Sequence, residues 1–187
     1  MTAVTSKIKN LCADKNISAE DLAAGAGLTV EQVNRILEDE RIPSLASIIK
    51  IARALGVRPG TFLDDSEAIG PVVTQGSATS PKVTFTSHLT DSHSHMDFAS
   101  LAATKAGRNM EPFLINIEPI TEKKGFSSHE GEEFLYVLEG SIIVHYGKET
   151  YELHQGDSIY YDSIVDHLVT AGEDTAAKIL GVVYAPA

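Results

Sequence analysis

Residues 125–140 read GFSSHEGEEFLYVLEG, and they carry the strongest structural signal in the second half of the chain. His129 and Glu133 lie on either side of Gly131, which can adopt backbone angles closed to other residues. A turn at this glycine lets both side chains face inward. A β-prone run then begins at Glu133 and stops at a turn at Gly140. The stretch therefore predicts a strand over residues 133–138 that ends at the turn.

Further β-prone runs lie on both sides of this stretch, and turn residues, many of them glycines, separate several of them. Short strands at regular intervals predict an all-β sandwich or barrel. The predicted strands are residues 82–86, 96–101, 113–118, 133–138, 141–146, 150–153, 158–161, 167–170 and 177–184.

The stretch 125–140 resembles the first motif of the cupin family. Gly156, Asp157 and His167 follow at the spacing of the second cupin motif. The resemblance spans about residues 82–184, and it implies an all-β cupin jelly-roll barrel for the C-terminal half of the chain.

The cupin resemblance also implies a metal site, because cupins usually provide three histidines and one glutamate at the barrel mouth. The matching positions in this chain are Ser127, His129, Glu133 and His167, so a serine replaces the first histidine. Two imidazoles and one carboxylate can hold one divalent metal, with Fe or Zn as the leading expectations. The alternative is a metal-free pocket in which these groups bind each other and an organic ligand. We expect Ser127 and Tyr161 to line the pocket, with barrel packing as the other role open to Tyr161.

The N-terminal third of the chain has helical periodicity instead. Ser18 with Asp21, and Thr29 with Gln32, match the capping pattern of helix starts. Gly27 lies between them and permits a tight turn. The pattern predicts five short helices, of which the second and third form a helix-turn-helix.

This region resembles the lambda-repressor-like, or Xre, helix-turn-helix family over about residues 6–63. The residues that carry the resemblance are Ser18, Leu22, Ala23, Ala26, Gly27, Leu28, Thr29, Arg35, Ile36, Pro43, Ser44, Leu45 and the run KIARALGV at residues 50–57. The family usually has glutamine near the start of the second helix, where this chain has Ala19.

The resemblance implies that the third helix enters the major groove of double-stranded DNA. The expected DNA-binding residues are Thr29, Gln32, Asn34 and Arg35. Gln32 and Asn34 can read base edges, and Arg35 can reach phosphate. Glu31 and the acidic residues 38–40 oppose phosphate, so a helical domain kept only for packing or dimerisation is the alternative.

Composition bounds the class of protein. The chain has 187 residues with 15 basic and 26 acidic side chains, a net charge of −11. Residues 66–187 hold 7 basic and 17 acidic side chains, so most of the negative charge belongs to the predicted cupin domain. One cysteine, Cys12, excludes a disulfide framework and any multi-cysteine zinc site. No apolar run approaches the roughly 18 residues of a membrane span, and no signal peptide is visible, so we expect a cytoplasmic protein without membrane contact.

These observations predict a multi-domain α + β protein: a helix-turn-helix domain over residues 1–65, a linker over 66–81 and a cupin domain over 82–187. Helix-turn-helix followed by cupin resembles a bacterial regulator architecture, which implies a DNA-binding transcriptional regulator whose cupin domain senses a small-molecule effector. The predicted strand 133–138 is apolar on both faces, and a subunit interface would cover its outer face, so we expect a homodimer.

Two enzymatic readings stay open. The same domain order and triad resemble the hydroxypropylphosphonate epoxidase family, which implies a non-heme iron enzyme. Few cations are available before the first cupin motif to hold a phosphonate, namely Lys82, Lys105, Arg108, Lys123 and Lys124. The other reading is a cupin isomerase or dioxygenase with a vestigial helical domain.

Overall fold

The computed structural model describes residues 2–38, 42–63, 70–76, 82–84, 96–119, 125–172 and 175–186. Within these residues the helices come first and the strands follow, which confirms the predicted fold class. The helices are α1 (Ala3–Lys15), α2 (Ala19–Ala26), α3 (Val30–Glu38), α4 (Leu45–Ala54) and α5 (Gly60–Leu63). The strands are β1 (Lys82–Thr84), β2 (Met96–Ser100), β3 (Met110–Ile117), β4 (Glu132–Glu139), β5 (Ser141–Tyr146), β6 (Glu149–His154), β7 (Ser158–Asp162), β8 (His167–Ala171) and β9 (Ala177–Tyr184).

Some predicted features lie outside the described residues. They are the acidic residues Asp39 and Glu40, the end of the predicted strand 82–86, and the predicted linker except for residues 70–76.

Side-chain caps define the helix-turn-helix. The Ser18 hydroxyl accepts a hydrogen bond from the Asp21 amide, and the Asp21 carboxylate accepts one from the Ser18 amide. Gly27 ends α2 with φ at 61°, a left-handed angle that glycine adopts without strain. Buried side chains from α1 to α5 then close the helical core, among them Ile8, Leu22, Val33, Ile48, Leu55 and Phe62.

The strands form two antiparallel sheets. One has six strands in the order β1-β2-β3-β9-β4-β7, and the other has three in the order β6-β5-β8. Alternation along each strand sends one set of side chains to the core. The core includes Phe113, Leu135, Val137 and Ile179 of the six-stranded sheet, and Ile142, Val144 and Val169 of the three-stranded sheet.

The opposite face of the six-stranded sheet carries an apolar patch. Phe134 on β4 pairs with Tyr160 on β7 and with Val182 on β9. Tyr136 pairs with Leu180 on β9 in the same way. Tyr136 and Tyr160 are exposed to 37 % and 63 %. We call these five residues the outer patch.

The helical region contacts the β-sheet region through α4. Ile49 packs with Val183 and Ala185 at the end of β9. Arg53 forms an ion pair with Glu130, with Nη1 and Oε1 2.5 Å apart. This contact brings α4 beside the loop that leads into β4. Each helix among the described residues is too short or too polar to span a bilayer.

Candidate metal centre

Three buried side chains lie together where the two sheets approach each other. Glu133 comes from β4 of the six-stranded sheet, and His167 begins β8 of the three-stranded sheet. His129 comes from the loop before β4. One ligand atom from each side chain lies within 4.8 Å of the others. The structure thus brings together the three side chains that the cupin resemblance identifies.

Gly131 shapes the loop that carries His129. Its φ is 118°, and a Cβ atom at this position would overlap the carbonyl oxygen of Tyr184. The loop is also held by Ser163, whose carbonyl accepts from the His129 amide and whose amide donates to the Gly131 carbonyl, both at 2.9 Å. The glycine therefore allows the turn and the close packing that direct His129 and Glu133 inward.

Backbone carbonyls orient both imidazole rings. Nδ1 of His129 lies 3.1 Å from the carbonyl oxygen of Glu130, and Nδ1 of His167 lies 2.9 Å from that of Val165. Because a carbonyl only accepts, each Nδ1 carries the hydrogen. The two Nε2 atoms face Oε1 of Glu133 at 2.8 and 3.6 Å. A neutral ring has no second hydrogen for this contact, so a bound proton or a metal ion is needed there.

Charge favours a cation at the same point. Burial by itself raises the pKa of the Glu133 carboxyl, but the hydrogen bonds and charges of His129 and His167 outweigh burial and hold that pKa well below its usual range. Burial lowers the pKa of His167, but the hydrogen bond and charge of Glu133 raise it above its ordinary value. The carboxylate therefore stays ionised and attracts positive charge.

Tyr161 fixes the carboxylate from the other side. Its hydroxyl donates to Oε2 of Glu133 at 2.6 Å, which leaves Oε1 facing the imidazoles. Burial raises the pKa of Tyr161, and the Glu133 charge and hydrogen bond raise it further, so the phenol stays protonated as a donor. The predicted pocket residue Tyr161 thus contacts a triad member and packs its ring near that of His167.

Ser127, the other predicted pocket residue, lies against His167. Their backbones exchange two hydrogen bonds of 2.9 Å, and the Ser127 Oγ lies 3.4 Å from the His167 Nε2. A neutral hydroxyl is a weaker ligand than the imidazole that cupins usually have at this position. A metal held by His129, Glu133 and His167 would keep coordination positions for water or another ligand.

The donor set fits a divalent metal. Two imidazole nitrogens and one carboxylate oxygen are ligands that Fe(II) and Zn(II) accept. Each histidine donates Nδ1–H to a carbonyl, and the Tyr161 hydroxyl donates to Oε2 of Glu133. Metal-binding side chains in proteins normally have such hydrogen-bond partners, which orient them toward the metal. The buried triad is therefore compatible with a metal site.

The predicted DNA-binding residues lie on or next to α3. Thr29 precedes the helix and forms a reciprocal cap with Gln32. The side-chain oxygen of Gln32 accepts a hydrogen bond from the Thr29 backbone amide at 2.8 Å, and the Thr29 hydroxyl accepts one from the Gln32 backbone amide at 3.2 Å. Asn34 and Arg35 are exposed, and they line a shallow depression with Glu31 and Glu38.

Two features of the site were not predicted. One is the bond between Tyr161 and Glu133, which are direct partners across β4 and β7. Strand alternation could have placed both side chains on one face, but the register between the strands was unknown. The other is the ion pair between Arg53 and Glu130, for which the sequence gives no local signal.

Fold and site together define a helix-turn-helix protein with a cupin domain. Residues 7–67 match the family HTH_26, described as Cro/C1-type HTH DNA-binding domain, and residues 113–183 match Cupin_2, described as Cupin domain. The chain therefore has the Cro/C1-type helix-turn-helix plus cupin domain architecture. No curated protein matched the chain.

Solved structures share this architecture. An HTH_3 family transcriptional regulator from Vibrio cholerae is 21 % identical with a TM-score of 0.68, covering 99 % of this chain and 96 % of that one. Hydroxypropylphosphonic acid epoxidase from S. wedmorenis is 24 % identical with a TM-score of 0.51, over 98 % and 97 % of the chains. A structure of Fe(II) HppE is 26 % identical with a TM-score of 0.50, over 98 % of both chains.

Proposed function

We propose that the chain is a sequence-specific DNA-binding transcriptional regulator whose cupin domain senses a small-molecule effector through a divalent metal. The observation that carries the proposal is the exposed polar face of α3 in a Cro/C1-type helix-turn-helix. Asn34 and Arg35 on this face are exposed and therefore accessible to DNA. The likeness to a transcriptional regulator from Vibrio cholerae supports the same fold and domain order.

The residues of α3 divide the work of DNA recognition. Asn34 and the amide nitrogen of Gln32 can donate to base edges, and Arg35 can contact phosphate or guanine. Thr29 lies at the start of the helix, where phosphates are favoured by the helix dipole. Glu31 and Glu38 repel phosphate, so binding depends on a position of α3 that keeps them away from the backbone.

The cupin triad supplies the sensor. His129, Glu133 and His167 would hold Fe or Zn, and the remaining coordination positions would accept an oxygen atom of the effector. Ser127 and Tyr161 contact the triad and would border the effector pocket. Elemental analysis of the wild type beside His129→Ala and His167→Ala tests the metal. Equal metal in all three, or none after reconstitution, contradicts this part of the proposal.

A homodimer completes the regulator. One helix-turn-helix domain offers few base contacts. The two domains of a dimer bind two DNA half-sites about one helical turn apart, and together they provide the remaining affinity. The outer patch is the surface that we propose for pairing, because it presents exposed tyrosines and half-buried aliphatic side chains on adjacent strands.

Selection of bound fragments from a genomic DNA pool, followed by fluorescence anisotropy, tests the regulator. We expect one or a few fragments to bind far more tightly than random DNA at the same salt concentration. If every fragment binds as weakly as random DNA, the regulator proposal is wrong and the helical region serves another role.

A non-heme iron enzyme is the second candidate. The observation in its favour is the two-histidine, one-carboxylate triad, together with the 26 % identity to Fe(II) HppE across the whole chain. Two observations argue against a phosphonate substrate. Arg108 donates a hydrogen bond to the Glu111 carboxylate, and Lys105 donates one to a backbone carbonyl, so both cations already have partners within the protein. Lys123 and Lys124 lie outside the described residues. The Fe(II)-loaded protein with hydroxypropylphosphonic acid and an oxidant, followed by phosphorus NMR, tests this candidate, and new phosphorus signals would favour it.

A further inference from the structure

We infer that metal binding at the triad and the docking of α4 on the cupin domain strengthen each other, through residues 129–131. The inference rests on the proposed function, because it takes the triad as the metal site of a regulator. One contact joins α4 to this segment directly, and a second joins α4 to the end of β9, on which the segment packs. A hydrogen bond of the His129 ring to the Glu130 carbonyl then joins the segment to the triad.

The first contact is the ion pair of Arg53 and Glu130. Arg53 Nη1 lies 2.5 Å from Glu130 Oε1, and the side chains are exposed to 51 % and 44 %. Glu130 follows His129 directly in the chain. Because the pair is half exposed, it can open without leaving a buried charge, so it suits a contact that forms and breaks.

The second contact is apolar. Ile49 on α4 packs with Val183 and Ala185, and all three side chains are buried. Gly131 packs so closely on the same piece of chain that a Cβ atom there would overlap the Tyr184 carbonyl. The end of β9 thus lies between α4 and the loop that carries His129.

A hydrogen bond within this loop holds the imidazole ring that would bind the metal. His129 Nδ1 donates to the Glu130 carbonyl, and its Nε2 points to the triad centre. A metal bound to Nε2 would withdraw electrons from the ring and make Nδ1–H a stronger donor. The Glu130 backbone would then be held more firmly, which would restrict the position of its carboxylate beside Arg53. By linkage, the docked Arg53 favours the metal-bound ring to the same degree.

The direction in which Arg53→Ala changes metal affinity separates this inference from simple electrostatic repulsion. Arg53 is a positive charge near a cation site, so its repulsion alone would make Arg53→Ala bind metal more tightly. If docking supports the metal site, Arg53→Ala must bind metal more weakly. An exposed ion pair can shift an equilibrium by up to about fivefold, so we expect a loss of about two- to fivefold.

Competition of the full chain with a chromophoric chelator for Zn²⁺ measures this loss. The site is defined as the zinc binding that disappears in His167→Ala. Arg53→Ala and Glu130→Gln should each weaken this binding, and the double variant should be no weaker than the weaker single variant, because both remove one bond. Lys178→Ala is the control, since it removes the exposed ion pair with Glu139 on β4 and should leave zinc affinity unchanged.

Hydrogen exchange of α4 gives the second readout. Zinc should slow amide exchange over Leu45–Ala54 in the wild type and less so in Arg53→Ala. Unchanged or tighter zinc binding in Arg53→Ala, or equal protection of α4 in both proteins, overturns the coupling while the regulator proposal stands. Absence of zinc binding in the wild type overturns the coupling together with the metal-dependent sensor.

Discussion

Tyr161 and Glu133 are direct cross-strand partners on β7 and β4, and the tyrosine hydroxyl donates to the carboxylate at 2.6 Å. The same carboxylate faces two imidazoles through its other oxygen. Both carboxylate oxygens of Glu133 therefore have partners within the protein, and this relationship gives the sharpest test of the site.

Tyr161→Phe should weaken metal binding by about 10- to 100-fold, which is the usual cost of losing a group that orients a metal ligand. The ring and its packing remain, so the fold should persist. Tyr160→Phe is the matched control, because Tyr160 lies on the same strand, is exposed and donates to Glu132 instead. Zinc competition measures both variants. Equal affinities would show that the hydroxyl does not support the site.

Metal affinity should fall as the pH falls from about 8 to 5, because protons compete for the imidazoles. Burial lowers the pKa of His167, but Glu133 and, to a smaller extent, the hydrogen bond to Val165 and the charge of Asp166 raise it above that of a free histidine. Proton competition therefore begins at a higher pH than for an isolated imidazole. Zinc competition at several pH values measures the slope, and an affinity independent of pH would contradict the triad as the site.

Arg35→Ala should lower affinity for the selected DNA and reduce the dependence of affinity on salt by about one phosphate contact. Lys15→Ala removes an exposed positive charge from α1 and should have a much smaller effect. Anisotropy titrations at several salt concentrations compare the two variants. Equal losses in both would mean that only general charge matters.

Tyr136→Glu should convert a dimer into monomers, because it introduces a charge into the outer patch. Tyr151→Glu is the control, since Tyr151 is similarly exposed, at 40 % against 37 %, but lies on β6 of the other sheet. Light scattering coupled to size exclusion gives the mass of each variant. A wild-type monomer, or a Tyr136→Glu dimer, would reject pairing through this face.

Gly131→Ala should destabilise the protein more than Gly156→Ala. Both positions have positive φ, at 118° and 96°, but an added Cβ meets the Tyr184 carbonyl only at Gly131 and nothing within 4 Å at Gly156. Placing a non-glycine residue at such a φ costs about 1–3 kcal/mol at either position. Thermal unfolding without added metal measures the difference, and similar midpoints would mean that the loop relaxes around the new methyl group.

Much of the fold follows from local patterns in the sequence. Glycine spacing and β-prone runs placed all of the strands found among the described residues, and capping pairs such as Ser18 and Asp21 placed helix starts. Strand ends were less predictable. β3 begins at Met110 instead of Phe113, because Met110 pairs with Tyr184 at the far end of the chain.

The site was predictable only as far as motif spacing reaches. His129 and Glu133 are close in sequence, and the cupin resemblance supplied His167. The hydrogen bond of Tyr161 depends on the register between β4 and β7, and the contact of Arg53 depends on how α4 meets β9. Both contacts join residues that are far apart in the sequence, and the periodicity of a single segment does not specify how distant segments align.

If the chain is the regulator proposed above, the reciprocal cap of Thr29 and Gln32 limits how its operator preference could be re-engineered. Gln32 would then have two roles: it would contact base edges, and its side-chain oxygen accepts a hydrogen bond from the Thr29 backbone amide at the start of α3. Replacing it to recognise a different base would also remove part of a cap that contributes about 0.5–2 kcal/mol to helix stability. A mutant library that aims to retarget the protein should therefore randomise Asn34 and Arg35 first, and keep Thr29 and Gln32 as a fixed pair.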